Sequence, residues 1–189
     1  MFLLGLQMNS NLAVAYFYDE SSDSSSDGER DIRMLLEEFL PHTHSVISHA
    51  QIQWVRDNWL ASLKMIENPA FAFAAQVLLR DHMLQNQELQ IVSVWSALER
   101  IFSSKAPELR FRVSANIASY LEPNSPARRS LVRSTLKLYD ERSAAAHGSP
   151  LRSSSAYMDS VGLLRRTLIK MIEQRHVPTS DELEKHLFE

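Results

Sequence analysis

Apolar residues recur at spacings of three and four along most of the chain after Gly28, and this periodicity constrains the fold more than any other feature. Such spacing places the apolar side chains on one face of an α-helix. The sequence contains only 4 glycines and 7 prolines in 189 residues, so few positions interrupt a helix. The sequence therefore predicts an all-α fold, in the form of a helical bundle.

The pattern predicts a succession of helices with short breaks between them. The predicted helices span about 32–40, 48–67, 73–83, 87–103, 107–121, 126–147 and 156–174, with a short one after a capping-box sequence at 179–182. Asn68-Pro69 ends the second helix because proline disfavours a helical residue before it. Ser125 and Pro126 are suited to begin the sixth helix, and Gly148 is the residue type that commonly follows a helix C-terminus.

Residues 1–28 differ in composition from the region that follows. Two apolar runs, 2–8 and 12–18, predict a small hairpin, with a helix as the alternative interpretation. Residues 19–31 are rich in Ser and Asp and contain no apolar residue, which is typical of a solvated linker. The sequence thus predicts an N-terminal appendage over 1–28, or the remnant of a larger upstream domain, and one helical domain over 29–189.

Several classes of site and location are excluded or disfavoured by composition. The chain has no cysteine, which excludes disulfides, thiolate nucleophiles and cysteine-ligated zinc or iron–sulfur sites. His42, His44 and His49 lie close together, but no carboxylate or thiol at a recognised spacing completes a metal site, so no metal or other cofactor is predicted. The apolar start lacks a basic region and is interrupted by polar residues. We therefore expect no membrane contact and a cytoplasmic protein.

Charge is distributed unevenly, although the net charge is only −3. Residues 19–38 contain eight acids and two bases, whereas residues 100–152 contain ten bases and four acids. Clustered cations attract polyanions whatever the net charge of the chain. The predicted RNA-binding residues are Arg128, Arg129, Arg133 and Lys137. An ordinary solvated helix face is the alternative interpretation of these four residues.

The predicted helix over 126–147 ends in the sequence YDERSAAAHG, which places Arg142 and His147 near its C-terminus. A guanidinium carries a permanent charge and a planar fork suited to phosphate, and an imidazole exchanges protons near neutral pH. Two such groups have the chemistry to cleave RNA without a metal, so Arg142 and His147 are the candidate catalytic residues. The alternatives are a histidine that interacts with the helix dipole and an arginine in a structural salt bridge.

The two candidate catalytic residues do not share one face of the helix. At about 100° per residue, they border opposite sides of an apolar stripe formed by Val132, Tyr139 and Ala146. Their backbones are separated by roughly 7–8 Å along the helix axis. A shared substrate or a second copy of the helix is therefore needed to bring Arg142 and His147 into one site.

This arrangement resembles HEPN domains and, among them, the Apea-like HEPN family. The resemblance covers about residues 84–174 and includes WSALERIF at 95–102, FRVSANIASYL at 111–121 and YDERSAAAHG at 139–148. It implies a homodimer in which two motif helices bring both arginine–histidine pairs into one groove. Supporting roles are predicted for Glu99, Tyr139, Asp140 and Ser143. Many active members have Asn, Asp or His directly after the arginine, whereas this chain has Ser143.

The resemblance implies a metal-independent endoribonuclease in a defence or toxin-like role. Attack of a ribose 2′-hydroxyl on the adjacent phosphate would leave a 2′,3′-cyclic phosphate and a 5′-hydroxyl. One alternative is a catalytically silent HEPN module that binds RNA or pairs with another protein. Another is a helical interaction domain joined to an upstream effector domain. An inhibitory partner that restrains the nuclease is a further expectation.

Overall fold

The computed structural model describes residues 48–103 and 108–188 together with Leu3. This part of the chain is 80% helical and contains no strand, which confirms the prediction of an all-α helical bundle. The predicted hairpin, the Ser/Asp-rich linker, the helix over 32–40 and the boundary near Gly28 lie outside the described residues. The chain divides into two compact units, Met1–Arg56 and Asp57–Glu189. The candidate site lies in the second unit.

Seven α-helices follow one another along the described residues. They are α1 (His49–Met65), α2 (Pro69–Arg80), α3 (Gln87–Phe102), α4 (Leu109–Leu121), α5 (Pro126–Ala146), α6 (Ala156–Gln174) and α7 (Ser180–Phe188). One turn of 3₁₀-helix, Asp81–Met83, follows α2 directly. Met83 is thus outside the helix predicted over 73–83, and it is 63% exposed.

Side-chain caps begin α2, α5 and α7, and those of α5 and α7 are the caps that the sequence predicts, whereas α2 begins at Pro69 and not near residue 73. The Asn68 carboxamide accepts hydrogen bonds from the first backbone N–H groups of α2, and the Ser125 hydroxyl accepts one from the Arg128 N–H at 3.3 Å. Before α7, the Thr179 N–H donates to Glu182 Oε2 at 2.7 Å, and the Glu182 N–H donates to Thr179 Oγ1 at 3.3 Å. This reciprocal pair is the capping box expected from the sequence.

Helix α3 lies at the centre of the bundle and packs against α2, α4, α5 and α6. Its side chains Trp95, Leu98 and Phe102 are fully buried, as the apolar pattern indicates. Helices α4 and α5 form the most extensive helix pair and are joined by a short turn, while α7 packs on α4. The central position of α3 places its last turn beside the C-terminal half of α5.

The apolar stripe of α1 is more exposed than its pattern indicates. Ile52 is 44% exposed, Trp59 is 51% exposed and Leu63 is 45% exposed. The buried side chains of this helix are Ser62 and Met65, which are not members of that stripe. Periodicity therefore predicted the helix correctly but did not identify its buried side.

Candidate active site on helix α5

Helix α5 ends in a Schellman motif. Gly148 has a φ of +78°, a left-handed conformation that favours glycine. Its N–H donates to the Ala145 carbonyl at 2.9 Å, and the Ser149 N–H donates to the Ala144 carbonyl at 3.0 Å. These bonds satisfy carbonyls at the helix end and leave His147 as the capping residue, with an exposed side chain. The imidazole is therefore accessible to a ligand.

Arg142 lies one and a half turns earlier and points towards the bundle. Its Nη2 donates to Glu99 Oε2 on α3 at 3.0 Å. The arginine side chain is 22% exposed and the glutamate side chain is 18% exposed, so this ion pair is mostly buried. The predicted alternative of a salt bridge to another helix thus describes the observed contact.

The Tyr139 ring holds the guanidinium from a second direction. Arg142 Cζ lies 5.4 Å from the centroid of the Tyr139 ring, within the range of a cation–π interaction. Tyr139 in turn packs edge-on against Trp95, with 5.1 Å between ring centroids. Trp95 Nε1–H donates to Ser160 Oγ on α6 at 3.1 Å. A packed chain of aromatic and polar groups therefore fixes the position of the arginine.

Burial affects the chemistry of this cluster. Burial raises the pKa of the Tyr139 hydroxyl above its ordinary value of 10.0, and the Glu99 carboxylate raises this pKa further. Within the described part of the chain, Arg142 Nε and Glu99 Oε1 have no hydrogen-bond partner. Both atoms are buried, so a phosphate oxygen would have to approach the part of the Arg142 side chain that remains 22% exposed.

The other supporting residues make separate contacts. Asp140 Oδ2 accepts a hydrogen bond from Arg110 Nη2 on α4 at 2.6 Å, at a largely exposed position. Glu141 Oε2 accepts one from the Arg152 backbone N–H at 2.8 Å, which ties the segment after α5 to the helix. Ser143 is half-buried. Among the predicted supporting residues, Glu99 and Tyr139 contact Arg142, whereas the Asp140 carboxylate pairs with α4.

The four predicted RNA-binding residues fall into two groups. Arg128 Nε donates to the Glu122 carbonyl at 3.0 Å, and its Nη1 donates to the His186 carbonyl at 3.2 Å. These bonds connect α5 to the preceding turn and to α7. The remaining three side chains are exposed and belong to Arg129, Arg133 and Lys137.

The structure does not bring Arg142 and His147 together on one face of the chain. The guanidinium is held against α3, whereas the imidazole projects from the helix end. One member of the apolar stripe between them, Tyr139, is only 7% exposed because it packs inside the bundle against Trp95. Of the other members of the stripe, Val132 is half-buried and Ala146 is exposed.

A second polar cluster was not predicted from the sequence. The Tyr157 hydroxyl on α6 donates to Asp81 Oδ2 at 2.7 Å, and Gln90 Nε2 donates to the Asp81 carbonyl at 3.1 Å. Arg165 is 6% exposed, and burial lowers the pKa of its guanidinium. The only sequence signal was the presence of polar residues within otherwise apolar helix faces, which does not identify their partners.

Comparison with protein-family models, curated proteins and solved structures finds no match to this chain. In the described part of the chain, no helix combines the length and the apolar character that crossing a membrane requires.

Proposed function

We propose that this protein is a metal-independent endoribonuclease of the HEPN type, with Arg142 and His147 as its catalytic residues and a defence or toxin-like role. The observation that supports this most strongly is the contrast at the end of α5. A guanidinium is held in place by Glu99 and Tyr139, and an exposed imidazole follows it by five residues. Phosphodiester transesterification needs a positioned cation to stabilise negative charge and a group that accepts and donates protons.

In the proposed reaction, the 2′-oxygen of RNA attacks the adjacent phosphorus, and the bond to the 5′-oxygen of the next nucleotide breaks. An imidazole of His147 takes the proton of the 2′-hydroxyl, and a second imidazole or water protonates the leaving oxygen. The Arg142 guanidinium stabilises the negative charge on the phosphoryl oxygens. The products are a 2′,3′-cyclic phosphate and a 5′-hydroxyl, and DNA resists because it lacks the 2′-hydroxyl.

The site requires two copies of the chain under this proposal. On a helical projection, Arg142 and His147 lie about 140° apart, too far around one helix for both to contact the same phosphate directly. A twofold contact between two α5 helices would supply the histidine of one copy to the arginine of the other. The small side chains of residues 143–146 permit a close approach of the two helices.

The first test is cleavage of a labelled single-stranded RNA by the purified chain in EDTA. We expect His147→Ala to reduce the cleavage rate by about 100-fold or more, since general acid–base catalysis contributes on that scale. His186→Ala is the matched control, because it removes another exposed imidazole while retaining the backbone carbonyl that Arg128 uses. Unchanged helicity of both variants, and 2′,3′-cyclic phosphate ends in the wild-type products, would support the proposal. Retained cleavage by His147→Ala would overturn it.

A catalytically silent HEPN module is the second candidate, and the contacts of Arg142 favour it. The Glu99 carboxylate and the Tyr139 ring both engage the guanidinium, as they would in a purely structural ion pair. This candidate predicts that the wild-type protein binds RNA, or a protein partner, without cleaving RNA. The cleavage assay therefore separates the two functions directly.

A further inference from the structure

The outward side of α5 carries a row of cations that the proposed chemistry does not use. Arg129, Arg133 and Lys137 are exposed and lie four residues apart. Four residues of α-helix advance about 6 Å and complete slightly more than one turn. The three side chains therefore follow one another along a single side of the helix, and we call them the basic row.

The acids of α5 do not balance the basic row. The two acids of this helix are Asp140 and Glu141. Glu141 lies four residues after Lys137 and accepts a hydrogen bond from the neutral Arg152 backbone N–H, so it keeps its charge, but one carboxylate does not balance three cations. Asp140 lies on the same side as the row, but the Arg110 guanidinium on α4 compensates its charge at 2.6 Å. The outward side of α5 therefore keeps a positive charge that is exposed to solvent.

The basic row differs from the other cations of α5 in its hydrogen-bond partners. Arg128 donates to two backbone carbonyls, and Arg142 pairs with Glu99. These two arginines thus contribute to the packing of the bundle. The three cations of the row are exposed at positions where a ligand can reach them.

We propose that the basic row binds the backbone of a single-stranded nucleic acid, which under the proposed function is the RNA substrate. Its step of about 6 Å is similar to that between successive phosphates of an extended strand. Cations ordered along a backbone supply affinity without reading sequence. On a helical projection, His147 lies within about 80° of every member of the row. The imidazole therefore lies on the same side of α5 as the row, about 15 Å beyond Lys137 along the helix axis and past Asp140.

This proposal rests on the proposed function only for the identity of the strand as substrate, so binding is measured separately from cleavage. The probe is a fluorescent 2′-O-methyl oligouridylate of about 12 nucleotides, whose blocked 2′-oxygen cannot attack. We expect the variant Arg129→Gln/Arg133→Gln/Lys137→Gln to bind roughly tenfold or more weakly at 0.1 M salt. The slope of log K against log salt should decrease in magnitude by about 2, since each phosphate contact on a single strand contributes about 0.7.

The control variant is Arg56→Gln/Lys64→Gln/Arg80→Gln, which removes the same charge from exposed positions on α1 and α2. It should bind the probe nearly as well as the wild-type protein. If both variants bind the probe equally weakly, binding depends on overall charge, and the assignment of the row is overturned. Failure of the wild-type protein to bind, or equally tight binding of a poly-glutamate peptide, would overturn the assignment of a nucleic-acid ligand.

Cleavage of unmodified RNA distinguishes failure of this proposal from failure of the proposed function. If both hold, the row variant raises KM and leaves kcat nearly unchanged, because it removes binding without removing catalytic groups. If the wild-type protein binds the blocked probe but does not cleave RNA, the proposed ribonuclease activity is contradicted, whereas the proposed role of the basic row in binding still holds. A row variant with wild-type affinity and wild-type KM would contradict the row alone.

Discussion

The inward and outward sides of helix α5 both carry arginines, but they use them differently. On the inward side, Arg142 is mostly buried and contacts Glu99 and Tyr139. On the outward side, Arg129 and Arg133 are exposed. The same side chain thus has a fixed position in one environment and freedom to meet a ligand in the other. The neighbours of an arginine, and not its presence in a motif, therefore decide whether it is held in the bundle or is available to a ligand.

This difference has an energetic counterpart. Removing one partner of a mostly buried ion pair leaves the other charge poorly solvated, which costs more than removing an exposed charge. Exposed cations contribute little to folding stability, since solvent and salt screen them. Substitutions on the inward side of α5 should therefore lower both folding stability and cleavage activity. Substitutions on its outward side should lower only the affinity for RNA.

The largest effect is expected for Arg142→Ala. Loss of the guanidinium should lower the cleavage rate by about 100- to 1,000-fold, as for other groups that stabilise charge in a transition state. It should also lower the free energy of unfolding by about 1–3 kcal/mol, because Glu99 then lacks its partner. Chemical denaturation of Arg142→Ala, Glu99→Gln and the double variant measures the coupling between the two residues. Additive losses would show that the observed ion pair does not stabilise the fold.

A somewhat smaller effect is expected for Ala146→Trp. Ala146 lies near the inward side of α5 on a helical projection, but its side chain is exposed. An indole at this position should hold two α5 helices apart and lower the cleavage rate by about 100-fold, since small displacements of reacting groups are costly. Sedimentation should show loss of the dimer with unchanged helicity. Full cleavage by a monomeric variant would contradict a site shared between two copies.

The smallest effect is expected on folding stability at alkaline pH, in the variant Tyr139→Phe. Burial, and then the Glu99 carboxylate, raise the pKa of the Tyr139 hydroxyl above 10.0. The unfolded phenol ionises first, so this contribution to stability is complete below pH 10 and is lost as the pH rises through the folded pKa. The variant should therefore lose stability less steeply above pH 10 than the wild-type protein. Superimposable profiles of stability against pH would show that the hydroxyl makes no such contribution.

Local features of the fold were predictable because their causes are close in sequence. Ser125, Gly148 and Thr179 act at helix ends through bonds to residues within five positions. The burial of Trp95 and Leu98 followed from the periodicity of one helix. The exposed stripe of α1 was not predictable, since a single helix does not specify which of its sides meets a neighbour.

The candidate site was predictable in part for the same reason. The sequence alone determined that α5 forms, where it ends and which cations and imidazole it carries, since these depend on propensity, capping and spacing. Three contacts depend instead on how the helices pack, namely those of Arg142 with Glu99, of Arg128 with the His186 carbonyl and of Arg110 with Asp140. Each of these contacts joins residues at least 30 positions apart, so packing of whole helices decides which charges are fixed and which remain exposed.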